Sequence, residues 1–282
     1  MNYFRQENKY KVNEDYLSYF LKKYWFSPSD VLQRGIEANI WNLCQFKNPV
    51  LDIGVGNGEM SLSIFKNHGQ LDVGIDLDEN GLESAKKTKK YKKIIHADAQ
   101  NLPFKNASFN TVVSNSTFEH IENDLKAVSE VARVLKKKGL FFITIPSEFL
   151  QKWVLESEKK INKAKSQQNL IRFNSRANHL HYRSLSRWKE CFKEYDLKII
   201  FHKYYFSKKT AILWYKIFKK LTYRLGNREV WSILGDSKIT KFLPKGMIIK
   251  LLQNRILKNS YNNGFFIDSG NGAQLFMIAK KI

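Results

Sequence analysis

Two cysteines in 282 residues, Cys44 and Cys191, are too few for a disulfide framework. No Cys-x-x-Cys and no histidine–cysteine cluster accompanies them, so the sequence carries no sign of a zinc site or any other metal. Long apolar runs are missing too. No stretch approaches eighteen uninterrupted apolar residues, which excludes a helix spanning a bilayer, and residues 1–7 lack the apolar core of a signal peptide. A reduced, cytoplasmic setting is the expectation. Acidic residues are scarce, 26 against 48 Lys and Arg, for a net charge of +22. The scarcity is local. Residues 1–47 carry 7 basic against 5 acidic side chains, residues 48–150 carry 13 against 13, and residues 151–282 carry 28 against 8. Because 38 of the basic residues are lysine, a compositional bias contributes, but such a bias would act along the whole chain. A one-sided basic balance predicts an anionic partner: a membrane surface, a nucleic acid or an acidic glycan.

What is present begins with Val50-Leu51-Asp52-Ile53-Gly54-Val55-Gly56-Asn57-Gly58-Glu59. An apolar run ends in an acid, and three glycines alternate before a helical segment. Glycine allows dihedrals and close approaches that a Cβ blocks, so such a turn can press its main chain against a ligand at the carboxyl end of a parallel strand. A second buried strand, Val73-Gly74-Ile75-Asp76-Leu77-Asp78, places Asp76 24 positions after Asp52, the spacing at which a carboxylate reaches ribose hydroxyls. A third strand follows from Ile94 and ends at Asp98-Ala99. A fourth runs to Ser114-Asn115. Then come a helix over Glu130 to Leu135, a stop at Gly139 and a fifth strand to Pro146.

This order of motifs resembles the class I S-adenosylmethionine-dependent methyltransferases of the small-molecule type, over roughly residues 47–147. The resemblance implies a doubly wound, seven-stranded, mostly parallel α/β sheet with an antiparallel last strand, and S-adenosyl-L-methionine as cofactor. It implies that Asp52, Gly54, Gly56 and Gly58 line the methionine and ribose part of the cofactor. Asp76 would then hold the ribose hydroxyls with Leu77 beside it. Asp98 and Ala99 would contact adenine, and Ser114 and Asn115 would flank the sulfonium. Lys138 stands before Gly139 where the family commonly has proline, which should alter only a turn. A dehydrogenase is the rival, but its Gly-x-Gly-x-x-Gly needs a later glycine where this chain has Met60 and Ser61. Glu59 would also oppose a pyrophosphate, whereas a cationic cofactor tolerates acids.

The expected organisation is a helical amino-terminal lid (1–47), a methyltransferase core (48–206), a basic amphipathic helical insertion (207–270) and a closing strand (271–282). In the lid, Ser29 or Asp30 caps a helix after Pro28, and Arg34 with Glu37 reads as a solvated i,i+3 pair. In the insertion, Trp214, Ile217, Phe218, Leu221 and Leu225 share one face of a helix and Lys216, Lys219, Lys220 and Arg224 the other. Ile248, Leu251, Leu252 and Ile256 repeat the style against Lys250, Arg255 and Lys258. Such helices either dock on an anionic membrane through residues 208–258 or cover the core with solvated lysines.

Methyl transfer to a hydroxyl calls for alignment and a base near neutral pKa, which favours histidine. His181, before the helix that follows the fifth strand, is the leading base. His120, after the fourth strand, either faces the site or packs beneath it. Glu119 is either a secondary base or part of the polar face of the helix that carries His120. The acceptor is expected to be small or lipid-linked, a glycan, quinone or similar metabolite methylated on oxygen, reached at the inner face of a membrane. The alternatives are an RNA methyltransferase, although no RNA-binding module and no Asn-Pro-Pro-Tyr-like motif is present, and a non-catalytic scaffold. Oligomeric state has no signature.

Overall fold

The computed structural model describes residues 3–4, 14–267 and 270–282, so residues 1, 2 and 5–13 of the expected lid and residues 268–269 of the expected insertion lie outside the described residues. Short β-branched and aliphatic runs become strands, buried on both faces at the centre of the sheet and partly exposed at its edges. These are β1 (Val50–Ile53), β2 (Leu71–Asp76), β3 (Tyr91–His96), β4 (Phe109–Asn115), β5 (Leu135–Pro146) and β6 (Leu197–Tyr205). A two-residue ribbon, β7 (Arg224–Leu225) with β8 (Arg228–Glu229), stands apart, and β9 (Gln274–Lys281) closes the chain. The sheet order is β3-β2-β1-β4-β5-β9-β6. β9 runs antiparallel between β5 and β6, and every other pairing in this sheet is parallel. The architecture is the doubly wound seven-stranded sheet expected from the sequence.

Helices cover both faces. On one side α5 (Asp124–Val134) and α8 (Leu185–Glu194) bury Ala127, Val128, Val131, Trp188 and Phe192 against the sheet. The other side is thicker. There α1 (Glu14–Tyr24), α2 (Pro28–Leu43), α3 (Glu59–Ile64), α4 (Glu79–Lys87), α6 (Glu148–Ile161), α7 (Ser166–Ala177) and α9 (Lys208–Leu221) share one apolar cluster. Aromatic side chains carry much of it: Trp41, Phe65, Phe142 and Phe276 are fully buried. Aromatic rings bury 150–250 Å² each, which lets one continuous core support a layer of many helices.

Two expectations fail here for physical reasons. The N-cap position of α2 falls on Ser27, not Ser29 or Asp30; Pro28 occupies the first helical position, and Ser27 Oγ donates to Asp30 at 2.6 Å instead of accepting from a backbone amide. Arg34 and Glu37 do not form a solvated pair. The Glu37 side chain has no exposure and that of Arg34 has 25%. Glu37 collects five donors: Arg34 Nη1 at 2.6 Å, Gln33 Nε2 at 3.0 Å, Asn115 Nδ2 and Ser116 Oγ at 3.1 Å, and Tyr205 OH at 3.3 Å. A buried carboxylate is tolerated only when its oxygens are satisfied in this way. It thereby pins α2 to the carboxyl end of β4 and to β6.

Of the two readings of the insertion's basic helices, α9 follows the one in which the helix covers the core. The apolar face of α9 is spent on the core, with Trp214 and Tyr215 buried and Phe173 packed edge-on against both. Lys219 pairs with the buried Glu158 at 2.7 Å. Beyond α9, the short helices α10 (Val230–Gly235), α11 (Ser237–Thr240), α12 (Lys245–Leu251) and α13 (Lys258–Asn262) follow, with a π-helical stretch Leu252–Leu257 before the last. Here large apolar side chains stay exposed: Phe242 85%, Met247 72%, Ile239 49% and Leu251 47%.

Replacing Glu37 with alanine would leave the guanidinium of Arg34, two amides and two hydroxyls without their shared acceptor. The expected loss is roughly 2–3 kcal/mol, below the full value for a buried pair because Arg34 reaches solvent. Urea denaturation followed by circular dichroism measures it; an unchanged midpoint would show that the network does not hold α2 in place.

Candidate active site

Parallel register brings the chemistry to one edge of the sheet. Ile53 pairs with Ile75 and with Ser114, and Asp76 pairs with His96, so four strands end level and their following loops meet. The loop after β1 turns over this edge. Its Gly54 and Val55 amides donate to the Ile75 carbonyl at 2.9 and 3.1 Å, and Gly56 N donates to the Asp76 carboxylate at 2.6 Å. The Asp78 amide donates to the other Asp76 oxygen at 2.9 Å. Gly54 sits at φ +89° with Thr117 so near that a Cβ would fall 2.1 Å from its Oγ1. Any side chain at that position would close the turn.

The result is an open cavity of about 640 Å³. Gly54, Gly56, Asp76, Leu77, Asp98 and Ala99 line it, joined by Asp78, Gln100, Ser116, Thr117, His120, Glu122 and Asn178. Four carboxylates face it and none of its lining residues is Lys or Arg. Such a wall repels phosphates and suits a cation. The size fits a small organic ligand.

Four of the residues expected on the cofactor wall lie outside this lining. Asp52 is 2% exposed and accepts from the hydroxyl of Tyr91 beneath the loop. Burial pushes its carboxyl up to about 7. Gly58 serves packing, because a Cβ there would meet the α4 backbone at Ala85 Cα, 2.8 Å away. Ser114 is fully buried and donates to the Ile53 carbonyl at 3.1 Å. Asn115 turns away, accepting from Trp41 Nε1 at 2.6 Å and Thr144 Oγ1 at 2.8 Å while donating to Glu37. These four support the site from behind.

Of the two candidate histidines, His120 and not His181 lies on the cavity. His181 is absent from the lining; its Nε2 meets the carbonyls of Ile121 and Glu122, both at 3.0 Å, so that nitrogen carries a proton and cannot take one. It holds the loop between β4 and α5. His120 lines the cavity, and its Nδ1 donates to the Asn178 carbonyl at 2.7 Å, which leaves Nε2 with the lone pair. Burial holds its pKa below the ordinary value, keeping the ring neutral. Glu119 is buried beside it, and burial raises its carboxyl to about 8. Arg183 pairs with Asp124 at 2.6 Å and lies over the Trp188 ring, so both are structural. Asn178 and Gln100 had no signal in the sequence, since side chains so common in loops gain meaning only from where the fold puts them.

Comparisons with known proteins agree with this geometry. Residues 51–143 match the family described as the methyltransferase domain. An uncharacterized protein of Methanocaldococcus jannaschii is 40% identical over 115 residues, covering 40% of this chain and 43% of that one. A demethylmenaquinone methyltransferase of Staphylococcus haemolyticus is 33% identical over 96 residues, covering 32% of this chain and 40% of that one. The chain thus spans less than half the length of each of these relatives. The fold resembles a SAM-dependent methyltransferase, possible histamine N-methyltransferase, of Thermotoga maritima, with a TM-score of 0.54 at 15% identity over 96% of this chain and 98% of that one. Residues 51–143 thus match a methyltransferase domain, and the chain has the fold of S-adenosylmethionine-dependent methyltransferases.

The raised Asp52 carboxyl has a thermodynamic consequence. An acid with a folded pKa above its unfolded value of about 3.9 contributes stability at low pH that is lost as pH rises through the folded value. Asp52→Asn should therefore flatten the fall in stability between about pH 4 and 7 relative to the natural chain. Melting temperatures across that range measure the difference, and parallel curves for the two proteins would contradict it.

Proposed function

We propose that the protein transfers a methyl group from S-adenosyl-L-methionine to a hydroxyl of a small or lipid-linked acceptor of the quinone or glycan kind, working against an anionic membrane surface on the cytoplasmic side. The observation that carries the methyl-transfer reading is the acid-lined cavity at the sheet edge with no Lys or Arg in its wall. The Asp76 carboxylate keeps lone pairs beyond the two it gives to Gly56 and Asp78, and these would take the ribose hydroxyls. Asp98 lines the next position along the edge, suited to the adenine amino group. The sulfonium is already activated, so the protein's part is in-line alignment and removal of the acceptor proton. His120, with its free Nε2 at the cavity wall, is the base; His181 is a latch. The stretch shared with demethylmenaquinone methyltransferases supports an amphiphilic ring acceptor.

The membrane part rests on residues 238–258, which carry six basic and no acidic side chains around the exposed Phe242, Met247 and Leu251. Each lysine or arginine near an anionic leaflet contributes about 1 kcal/mol, and exposed aromatic and aliphatic tips add apolar insertion. This replaces α9 as the membrane-facing element, because its apolar face is already buried. No described helix is long and apolar enough to cross a membrane. The excess charge is mostly lysine, which gives field without bidentate readout and so favours headgroups over sequence-reading of RNA.

Flotation with phosphatidylglycerol-rich vesicles tests the surface. The natural chain should float at low salt, and the double variant Phe242→Asp with Met247→Asp should bind on the order of tenfold more weakly. Labelled methyl groups from S-adenosylmethionine should enter the chloroform-soluble fraction of a lipid extract. Failure to float removes the membrane from the proposal, and label entering RNA instead would replace the acceptor class.

A further inference from the structure

Glu119, His120 and His179 each offer a ligand atom within 4.8 Å of those of the other two. Glu119 and His120 belong to a one-turn 3-10 helix, Phe118–His120, after β4, while His179 follows α7. The fold joins these segments on purpose-built contacts. Asn178 ends α7 in the left-handed conformation, φ 52°, and its carbonyl accepts from His120; Leu180 N donates to the Glu119 carbonyl at 2.8 Å.

The hydrogen bonds fix the tautomer of both rings. His120 donates from Nδ1 to a carbonyl. His179 Nδ1 meets the Tyr182 hydroxyl at 2.8 Å, and that hydroxyl gives its own proton to Asn174 Oδ1 at 2.9 Å, so His179 is the donor. Nε2 of each ring therefore holds a lone pair. One ligand atom of each of the three residues converges here, and among the described residues the buried Glu119 Oε2 has no hydrogen-bond partner. A proton on Glu119 would serve one histidine and leave the other unpaired. A cation serves all three.

We propose that Glu119, His120 and His179 form a binding site for a divalent transition-metal ion, zinc by its donor set, at the wall of the cofactor cavity. Two imidazoles and one carboxylate are the donor set of catalytic zinc sites, which keep a further position open. The partners behind the ligands are already in place: the Asn178 carbonyl orients His120, and the Tyr182–Asn174 pair orients His179. Donor atoms around a tetrahedral zinc are about 3.3 Å apart, so the three side chains would draw together by rotation when the ion enters.

Resting on the methyl-transfer reading, the ion gives the acceptor its handle. A hydroxyl coordinated at the open position is acidified and releases its proton to solvent. Its oxygen then bonds to the methyl carbon as the carbon–sulfur bond breaks, and that electron pair stays on sulfur as neutral S-adenosylhomocysteine. His120 is then a ligand of the ion and the acidified hydroxyl needs no separate base.

The test uses the untagged full chain, stripped with a chelator and titrated with Co²⁺ under visible absorption, with Zn²⁺ as competitor and elemental analysis of bound ions. One ion per chain is expected, displaced by Zn²⁺. Binding should weaken on the order of tenfold or more in the near-isosteric Glu119→Gln and in His179→Ala, while S-adenosylhomocysteine binding is unchanged and reports folding. No bound ion, or binding that survives both substitutions, overturns the proposal. That result would leave the methyl-transfer reading standing with His120 as base. Loss of S-adenosylhomocysteine binding in the natural chain would instead remove that reading.

Discussion

The turn at Gly54 is the constraint on which the site depends. At φ +89° the chain can leave β1 and give two successive amides to the one carbonyl of Ile75. A residue with a side chain would meet strain in the backbone and Thr117 in space. Once the turn is made, the next amide within reach of β2 is that of Gly56, and the Asp76 carboxylate takes it. The loop is thereby fixed one residue above the ends of β1 and β2, and the cavity is the space it leaves. Gly58 and Gly81 complete the arrangement, since a Cβ at either would stand under 3 Å from the α4 backbone or from the loop itself.

A second set of contacts closes the site from the side. Trp41 of α2 donates to Asn115, Asn115 donates to Glu37, and Glu37 also takes Ser116 at the cavity wall. The amino-terminal helices are thus bonded to the end of β4 itself. Their position and that of the wall are one packing problem. The polar network is satisfied throughout, which is the condition for keeping a carboxylate in an aromatic core.

What the sequence revealed of this was the part encoded locally. The glycine loop, Asp76 and Asp98 were legible because strand, turn and helix alternate over a few residues, and their place at the cavity follows from that alternation. Glu37 was misread because its partners lie up to 168 residues away, at Tyr205, and nothing in an i,i+3 pair with Arg34 announces them. His181 was preferred over His120 on position relative to strands, whereas the decisive fact is which ring nitrogen a carbonyl claims. The apolar stripe of α9 reads the same in a membrane-binding helix as in a buried one. Its burial depended on Phe173, Phe206 and the underside of α2, supplied by other parts of the chain.

The most direct test of the central claim is isothermal titration of the natural chain and its Asp76→Ala variant with S-adenosylhomocysteine and with NADH. Micromolar binding of S-adenosylhomocysteine is expected, weakened on the order of a hundredfold by the substitution through loss of the loop clamp and of two charge-assisted hydrogen bonds, with no binding of NADH at the acid-lined cavity. Binding of NADH, or affinity for S-adenosylhomocysteine that is absent or indifferent to Asp76, would contradict the assignment of this edge to a methyl donor.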